Sequence, residues 1–281
     1  MDEILAQQST TTSSLDLLLD LMRRLPPEKI EINLKSLIEI LPDLTDDLLT
    51  SIDQPLKVKR CQSSGRDFLN CDYNRDQDSY RSPWTNVYEP DLAEGTLPSV
   101  RLRKLEITLN DAFDKYRELY YEGGASSVYL WDLDEDFAGV VLFKKNIDPS
   151  DQLKGTWDSI HVFETTERGR NAQYKLTSTV MLHLVKSNES LGELSLAGSM
   201  TRQVSTMITN LSTSHLNNIG KLVEEMEMKM RSLLKEVYFS KTKDIINDLR
   251  SIDDLNELKK RVGVQKELVG LLRVKGQGLG S

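Results

Sequence analysis

The sequence has few of the residues that build covalent or metal-bound sites. Its 281 residues include only two cysteines, Cys61 and Cys71, and three histidines. Two cysteines cannot form a disulfide framework. His161, His183 and His215 are far apart and show no metal-ligand spacing. Since no nucleophile stands at a recognisable spacing from a histidine base, the sequence predicts no catalytic site and no cofactor.

Long apolar runs and an excess of positive charge are also missing. No run approaches the roughly 20 apolar residues that span a bilayer, and the N-terminus has no basic-plus-apolar signal. We therefore expect a soluble, intracellular protein that is not an integral membrane protein. The net charge of −8 argues against general nucleic-acid binding, which needs a positive field.

The first hundred residues divide into three regions. Residues 1–14 are polar and rich in Ser and Thr, so we expect a disordered tail. Residues 15–55 carry apolar positions at three- and four-residue spacing between proline stops, a pattern that predicts a bundle of three short helices. Residues 56–100 show no clear period and predict loops with short strands.

A helix and a sheet are predicted next. Residues 101–124 return to a helical pattern that ends at Gly123-Gly124. The region 125–199 contains five strand candidates joined by short turns, which favours an antiparallel meander. The candidate strands cover residues 126–133, 136–145, 156–164, 173–185 and 190–197.

The first hairpin of this sheet is apolar on both faces. Tyr129 and Trp131 alternate with Val128 and Leu130, and residues 137–143 continue in the same way. A strand that buries both faces lies in the middle of a larger structure. We therefore expect this hairpin to be central.

Residues 200–255 are predicted to form one long helix. Its apolar positions step by three or four residues, and nine steps cover 33 residues. At ~1.5 Å per residue these positions extend for roughly 50 Å, whereas five strands at ~4.8 Å spacing are about 20–25 Å wide. Something else must therefore cover the excess length of the helix, and a partner's sheet would do so. The positions are Val204, Ile208, Leu211, His215, Ile219, Leu222, Met226, Met230, Leu233 and Val237.

The acidic turn at Asp132, Asp134 and Asp136 has two interpretations. A calcium-binding EF-hand loop would need glycine six positions in and glutamate at the twelfth. Phe137 and Phe143 occupy those positions, so the sequence favours a hairpin turn. A metal-dependent enzyme built on the three aspartates remains the alternative.

The C-terminal region 256–281 contains a short amphipathic helix pattern. On a helix, Val264 shares one face with several leucines, and Lys266 and Arg273 lie beside that face. Gly263 and Gly270 each cost about 1 kcal/mol of helix stability, so a short helix is marginal alone. Such a segment either packs on the body of the protein or is mobile and orders in a partner's groove, and we favour the second.

Three blocks carry a resemblance to a known family. They are CDYNRDQDSYRSPWTNVYEP, LYYEGGASSVYLWDLDEDFAGVVLFKK and VEEMEMKMRSLLKEVYFSKTKDIINDLRSI, at residues 71–90, 119–145 and 223–252. From about Leu15 to the C-terminus the chain resembles the β subunit of the heterodimeric actin capping protein. The resemblance implies an α+β fold with an N-terminal helical bundle stalk, a five-strand antiparallel sheet joined to the α subunit's sheet, a long C-terminal helix and a mobile C-terminal helix.

The resemblance also implies a function. The protein would form an obligate heterodimer with the α subunit, bind the barbed end of actin filaments independently of calcium, and block subunit exchange there without being an enzyme. We expect it in the cytoplasm, at the cytoskeleton and in cortical actin structures. Regulators in the family include capping-protein-interacting motifs, an ankyrin-repeat inhibitor and phosphoinositides. The alternative within the family is a structural subunit of an actin-related assembly such as dynactin.

The resemblance places the actin-binding segment, called the tentacle in the family, in region 256–281. The family's Leu-Val-x-x-Leu pattern is matched by Leu268, Val269 and Leu272 within KELVGLLRVK. The expected actin-binding residues are Val264, Lys266, Leu268, Val269, Leu271, Leu272 and Arg273.

Overall fold

A computed structural model gives the fold of most of the chain. The chain divides into two compact units, residues 1–230 and residues 231–281. The predicted tail, residues 1–14, lies outside the described residues. Those are residues 15–134, 136–147, 153–169, 171–188, 192–208, 214–241, 243 and 263–264.

Three helices separated by prolines occupy the N-terminal region. Proline fixes φ and lacks an N–H group, so it is tolerated in a first helical turn but ends a preceding helix. Pro27 and Pro42 each begin a short 3-10 turn that leads into the next helix. The helices are α1 (15–24), α2 (Ile30–Ile40) and α3 (Thr45–Ser51).

Short strands and loops follow. The first two strands form a two-stranded sheet and the next three form a three-stranded sheet. These strands are β1 (Lys57–Arg60), β2 (Asp67–Asn70), β3 (Arg75–Asp76), β4 (Ser79–Arg81) and β5 (Tyr88–Glu89).

Helix α4 (Val100–Tyr120) begins after a capping serine and is followed by a glycine turn. The Ser99 hydroxyl accepts a hydrogen bond from the backbone N–H of Leu102, as expected of an N-cap residue. After the last turn, Gly123 adopts a φ of +68°, a conformation that costs glycine little. The glycine pair therefore follows the end of the helix and turns the chain into the sheet.

The central sheet has five antiparallel strands, which confirms the predicted meander. Their order across the sheet, β10-β9-β8-β7-β6, follows the sequence without a crossover. The strands are β6 (Ala125–Asp132), β7 (Phe137–Ile147), β8 (Leu153–Arg168), β9 (Asn171–Asn188) and β10 (Gly192–Ile208).

The predicted boundary between the sheet and the last helix is wrong. Residues 200–208 belong to β10 and pair with β9 from Val180 down to Ala172. Thr201, Val204 and Thr206 are β-branched and favour a strand. The apolar spacing of four between Val204 and Ile208 also fits one face of a strand, because it is a multiple of two.

The last helix, α5 (His215–Lys235), is accordingly shorter than predicted. Its 21 residues, at ~1.5 Å per residue, extend for roughly 32 Å rather than 50 Å. A π-helical turn, Glu236–Lys241, follows and leaves Val237 42 % exposed. The helix still exceeds the width of five strands, but by much less than the sequence suggested, so its length alone is a weak argument for a partner.

Alternation along the strands gives the sheet two buried faces. One face, here called the N-terminal face, carries Tyr129, Val140, Leu142, Ile160 and Met181 in one apolar core with residues of α1, α2 and α3. The opposite face, here called the α5 face, packs against α5. Six residues of α5 that lie in the first unit are buried: Asn218, Ile219, Val223, Met226, Glu227 and Met230.

This burial corrects the predicted phase of the helix. Val223 is fully buried, whereas Leu222 is only half-buried at the edge of the contact. Met226 and Met230 are buried and Met228 is exposed.

The hairpin β6–β7 is buried on both faces as predicted, but its position is different. β6 lies at an edge of the sheet and not in its middle. Val128, Tyr129 and Leu130 are nevertheless almost completely buried. α4 runs beside this strand and takes the place of a neighbouring strand, which is why the apolar pattern looked central.

Gly139 in β7 is needed for packing on the α5 face. It pairs with Leu130 on one side and Phe163 on the other. A Cβ atom at this position would overlap both of these side chains. Glycine therefore allows the two large side chains to fill the space above it.

Candidate functional site

The predicted actin-binding segment is only marginally represented among the described residues. Gly263 and Val264 have helical backbone, and Val264 is 61 % exposed. A Cβ on Gly263 would meet no atom within 4 Å. The remaining predicted residues, Lys266, Leu268, Val269, Leu271, Leu272 and Arg273, lie outside the described part of the chain.

A long sheet edge is the first candidate interface. β10 has 17 residues and is the terminal strand of the sheet. Within the described residues no strand lies beyond it. Near its C-terminal end the side chain of Met207 is 63 % exposed. An edge strand of this length presents backbone N–H and C=O groups on which another strand can pair.

A second candidate interface lies on the N-terminal helices. Leu18 and Met22 of α1 face the core, while Leu17 and Leu21, one turn apart, are exposed on another side. Ile32 on α2 is also exposed. The three- and four-residue spacing that predicts the bundle leaves out Leu17, Leu21 and Ile32, so the sequence predicted no role for them.

Buried polar contacts fix α5 to the sheet. Glu227 and His161 are fully buried, and a Glu227 oxygen lies 2.7 Å from Nε2 of His161. The Tyr121 hydroxyl donates to the other Glu227 oxygen at 2.5 Å, and Nδ1 of His161 is 2.8 Å from the Ser178 hydroxyl. These contacts join the helix, the strands β8 and β9, and the end of α4.

The pKa of Glu227 reflects this environment. Burial alone would raise the pKa, but hydrogen bonds with His161, Ser159 and Tyr121 outweigh burial and lower the pKa to about 2. The carboxylate is therefore charged at neutral pH although it is buried. No local sequence pattern predicts this contact, because the two residues are 66 positions apart.

The start of α5 is held by a separate contact. Nδ1 of His215 is 2.7 Å from the Tyr174 hydroxyl, and its Nε2 is 3.0 Å from a Glu167 oxygen. Burial lowers the pKa of His215, an effect that the Glu167 carboxylate opposes. His161 and His215 thus both attach the same helix to the sheet.

The acidic turn has a structural use. Asp132 accepts a hydrogen bond from the Ser99 N–H at 2.7 Å, and Asp136 accepts one from the Glu167 N–H at 2.9 Å. The two carboxylates thus hold the start of α4 and the end of β8. In the described part of the chain, no group of three His, Cys, Asp or Glu side chains is arranged to hold a metal ion.

The cysteines are both free. Burial raises the pKa of the Cys71 thiol to about 12, so the thiol stays protonated and unreactive at neutral pH.

No helix among the described residues is long and apolar enough to cross a membrane.

These features define a class: an α+β protein built on one five-stranded antiparallel sheet, with the long strand β10 at one end of the sheet and a helix fixed across one face. The family model described as F-actin capping protein, beta subunit, matches residues 15–246. The chain therefore belongs to the F-actin capping protein β-subunit family, which confirms the resemblance found in the sequence. The match ends before the predicted actin-binding segment.

Curated relatives agree with this assignment. The F-actin-capping protein subunit beta of Emericella nidulans is 57% identical over 260 residues, which cover 92% of this chain and 98% of the relative. The protein of the same name from Drosophila melanogaster is 55% identical over 262 residues, covering 92% and 95%. That of Neurospora crassa is 51% identical over 285 residues, covering 94% and 99%.

Among solved structures, the chain is similar to the homodimeric actin capping protein alpha subunit from Plasmodium berghei. The TM-score is 0.47 at 15% identity, covering 87% of this chain and 98% of that chain.

Proposed function

We propose that this chain is the β subunit of a heterodimeric actin capping protein, which binds the barbed end of actin filaments and blocks addition and loss of subunits. The observation that carries the proposal is the family match over residues 15–246. Relatives named for F-actin capping that are 51% to 57% identical along nearly their whole length support it.

The accessible surfaces support a heterodimer. A strand from an α subunit can pair with the outer edge of β10 and continue the sheet. Leu17, Leu21 and Ile32 add exposed apolar area, and apolar side chains gain free energy when a partner removes them from water. The chain expressed alone should therefore aggregate or misfold.

The apolar C-terminal residues are proposed to hold the filament end. Leu268, Val269, Leu271 and Leu272, with Val264, would dock in an apolar groove of the terminal actin subunit. Lys266 and Arg273 would attract the acidic actin surface. Buried apolar anchors mainly slow dissociation, whereas charges at the rim mainly speed association. The exposure of Val264 supports an accessible segment.

We further propose that the protein acts without calcium and is not an enzyme. The support is that Asp132 and Asp136 accept backbone hydrogen bonds in a turn. We expect a location at the cytoskeleton, including cortical actin. Capping-protein-interacting motifs, an ankyrin-repeat inhibitor and phosphoinositides are proposed as regulators on the basis of the family resemblance alone.

The test is co-expression with an α subunit, followed by measurement of mass and of capping on single filaments grown from plain actin. We expect a one-to-one heterodimer that stops barbed-end growth equally with calcium or a chelator. A heterodimer that does not stop growth of plain actin would contradict the proposal and favour a structural subunit of a dynactin-like assembly.

The actin-binding segment is tested by Leu268→Ala combined with Leu272→Ala. At ~1.5–3 kcal/mol for each buried leucine, capping should weaken by about two to four decades, and we expect the low end because the site is partly exposed. Most of the loss should appear as faster uncapping at an unchanged melting temperature. Glu267→Ala in the same segment keeps the apolar face and serves as the control.

Reversing the charge of the basic residues should change the rate of capping and not the rate of uncapping. Lys266→Glu with Arg273→Glu should slow capping and make its rate less sensitive to salt.

If the double leucine variant instead melts several degrees lower and uncaps at the normal rate, the segment is part of the folded body and the docking proposal is wrong.

A further inference from the structure

The two edges of the central sheet are treated differently. β10 and β6 are both terminal strands, and a terminal strand normally presents unpaired backbone groups on which another chain can add. The outer edge of β6, however, faces α4. The side chains of α4 contact the backbone of β6 directly.

Asn110 of α4 occupies the place of a paired strand residue. Its Nδ2 donates to the carbonyl oxygen of Val128 at 2.9 Å, and its Oδ1 accepts from the N–H of Val128 at 2.9 Å. Two residues of neighbouring antiparallel strands exchange the same two bonds. Asn110 is 2 % exposed, so water cannot readily compete for these contacts.

The next outward-facing residue of β6 is satisfied in the same way. The N–H of Leu130 donates to Oε2 of Glu106 at 2.7 Å, and its carbonyl oxygen accepts from Arg81 at 3.4 Å. Arg81 and Glu106 are both buried and form two parallel hydrogen bonds of 2.8 Å. The guanidinium of Arg103 is a further partner of Glu106. The guanidinium groups of Arg81 and Arg103 thus balance the charge of the Glu106 carboxylate where it meets the strand.

The spacing of these side chains matches the strand. Glu106 and Asn110 are one helical turn apart, which is about 6 Å along the helix. Leu130 and Val128 are two residues apart, which is about 6.8 Å along an antiparallel strand. The helix and strand run in opposite directions, so the pairs Glu106–Leu130 and Asn110–Val128 align.

We propose that Arg81, Glu106 and Asn110 form an edge cap that prevents a second chain from adding to β6. The inference rests on the proposed heterodimer, in which the partner adds at β10. A sheet with two open edges can extend in both directions and form open chains of subunits, whereas a sheet with one open edge stops after one partner. The edge cap therefore limits the assembly to two subunits.

The test is Asn110→Leu in the co-expressed heterodimer. Leucine has nearly the same size but removes both hydrogen bonds to Val128. Light scattering and sedimentation over a wide range of concentration should show the variant associating into pairs of heterodimers or larger species, while the wild-type protein keeps one mass. A variant that folds and keeps the mass of a single heterodimer at all concentrations would overturn the proposal.

Leu109→Ala is the matched control. Leu109 is the neighbouring residue of α4 and is fully buried, so its truncation lowers stability without touching the edge cap. At a matched decrease in melting temperature, this variant should keep the wild-type mass. Equal association of both variants would mean that destabilisation alone causes it, which would also overturn the proposal.

A second variant and a second measurement cover the case in which Asn110→Leu does not fold. Asn110→Asp keeps the acceptor for the Val128 N–H but replaces the donor to its carbonyl oxygen, and it should also associate. In the wild-type heterodimer, the amide protons of Val128 and Leu130 should exchange as slowly as those of the interior strand β8. Exchange as fast as an open edge would contradict the edge cap. Failure of the wild-type chains to form a heterodimer would instead refute the proposed function.

Discussion

Replacing Glu227 by glutamine tests whether a buried charge fixes the last helix to the sheet. The substitution preserves the shape of the side chain and removes its charge. It acts on a carboxylate that contacts His161 at 2.7 Å and the Tyr121 hydroxyl at 2.5 Å. The variant should still fold, but it should be less stable than the wild-type protein at neutral pH.

The size of the effect follows from the pKa of Glu227. Burial opposes the charge, but hydrogen bonds with His161 and its neighbours lower the pKa from 4.5 to about 2. The difference, 4.5 minus 2, corresponds to roughly 3 kcal/mol at about 1.4 kcal/mol for each tenfold change. Because the pKa is lowered on folding, this contribution is complete above the unfolded-state pKa and is lost as the pH falls towards the folded-state pKa.

The assay is denaturant unfolding of the heterodimer at one fixed protein concentration, since dimer stability depends on concentration. At pH 7, Glu227→Gln should lower the free energy of unfolding by roughly 3 kcal/mol. At pH 4 the difference between the two proteins should be smaller by about 1 kcal/mol, because the wild-type protein has then lost part of the contribution.

Glu225→Gln on the same helix is the control. Glu225 is exposed and its oxygen is 3.8 Å from Lys221, so the change should be less than about 0.5 kcal/mol. An unchanged stability of Glu227→Gln, or a difference from wild type that grows on acidification, would show that the carboxylate is not charged in the folded state.

Two further predictions concern packing. Val223→Ala should lower the free energy of unfolding by roughly 2 kcal/mol, because it removes two buried methyl groups and leaves a cavity. Leu222→Ala should lower it by less. A larger loss at Leu222 in denaturant unfolding would show that the phase of α5 is wrong. Gly139→Ala should cost about 1–3 kcal/mol through overpacking. Gly220→Ala, where a Cβ meets no atom within 4 Å, should instead stabilise α5 by up to about 1 kcal/mol. If both glycine variants melt at the same temperature, Leu130 and Phe163 do not pack tightly over Gly139.

Much of the fold could be predicted from the sequence because the signals are local. Prolines and glycines mark the ends of the helices, since each restricts or frees one backbone position. The alternation from residue 126 to residue 185 predicts antiparallel strands, because side chains of a strand point alternately to its two faces. One of the three sequence blocks that resemble the family, residues 119–145, overlaps this part of the chain.

Errors arose where one pattern fits two structures. Val204 and Ile208 are four residues apart, a spacing that suits both a helix face and a strand face. These residues form a strand because β10 pairs with β9 from Met200↔Val180 to Ile208↔Ala172. Only the neighbouring strand could supply that information.

The tertiary structure alone decided which residues meet across long separations. Glu227 reaches His161, and Glu106 and Asn110 reach the backbone of β6. Local sequence patterns record the spacing of side chains along one element, so they identify Glu106 and Asn110 as polar residues on a helix. They do not record which strand lies beside that helix. The sequence by itself determined the family and the type of most elements, whereas packing determined that α4 covers the β6 edge of the sheet.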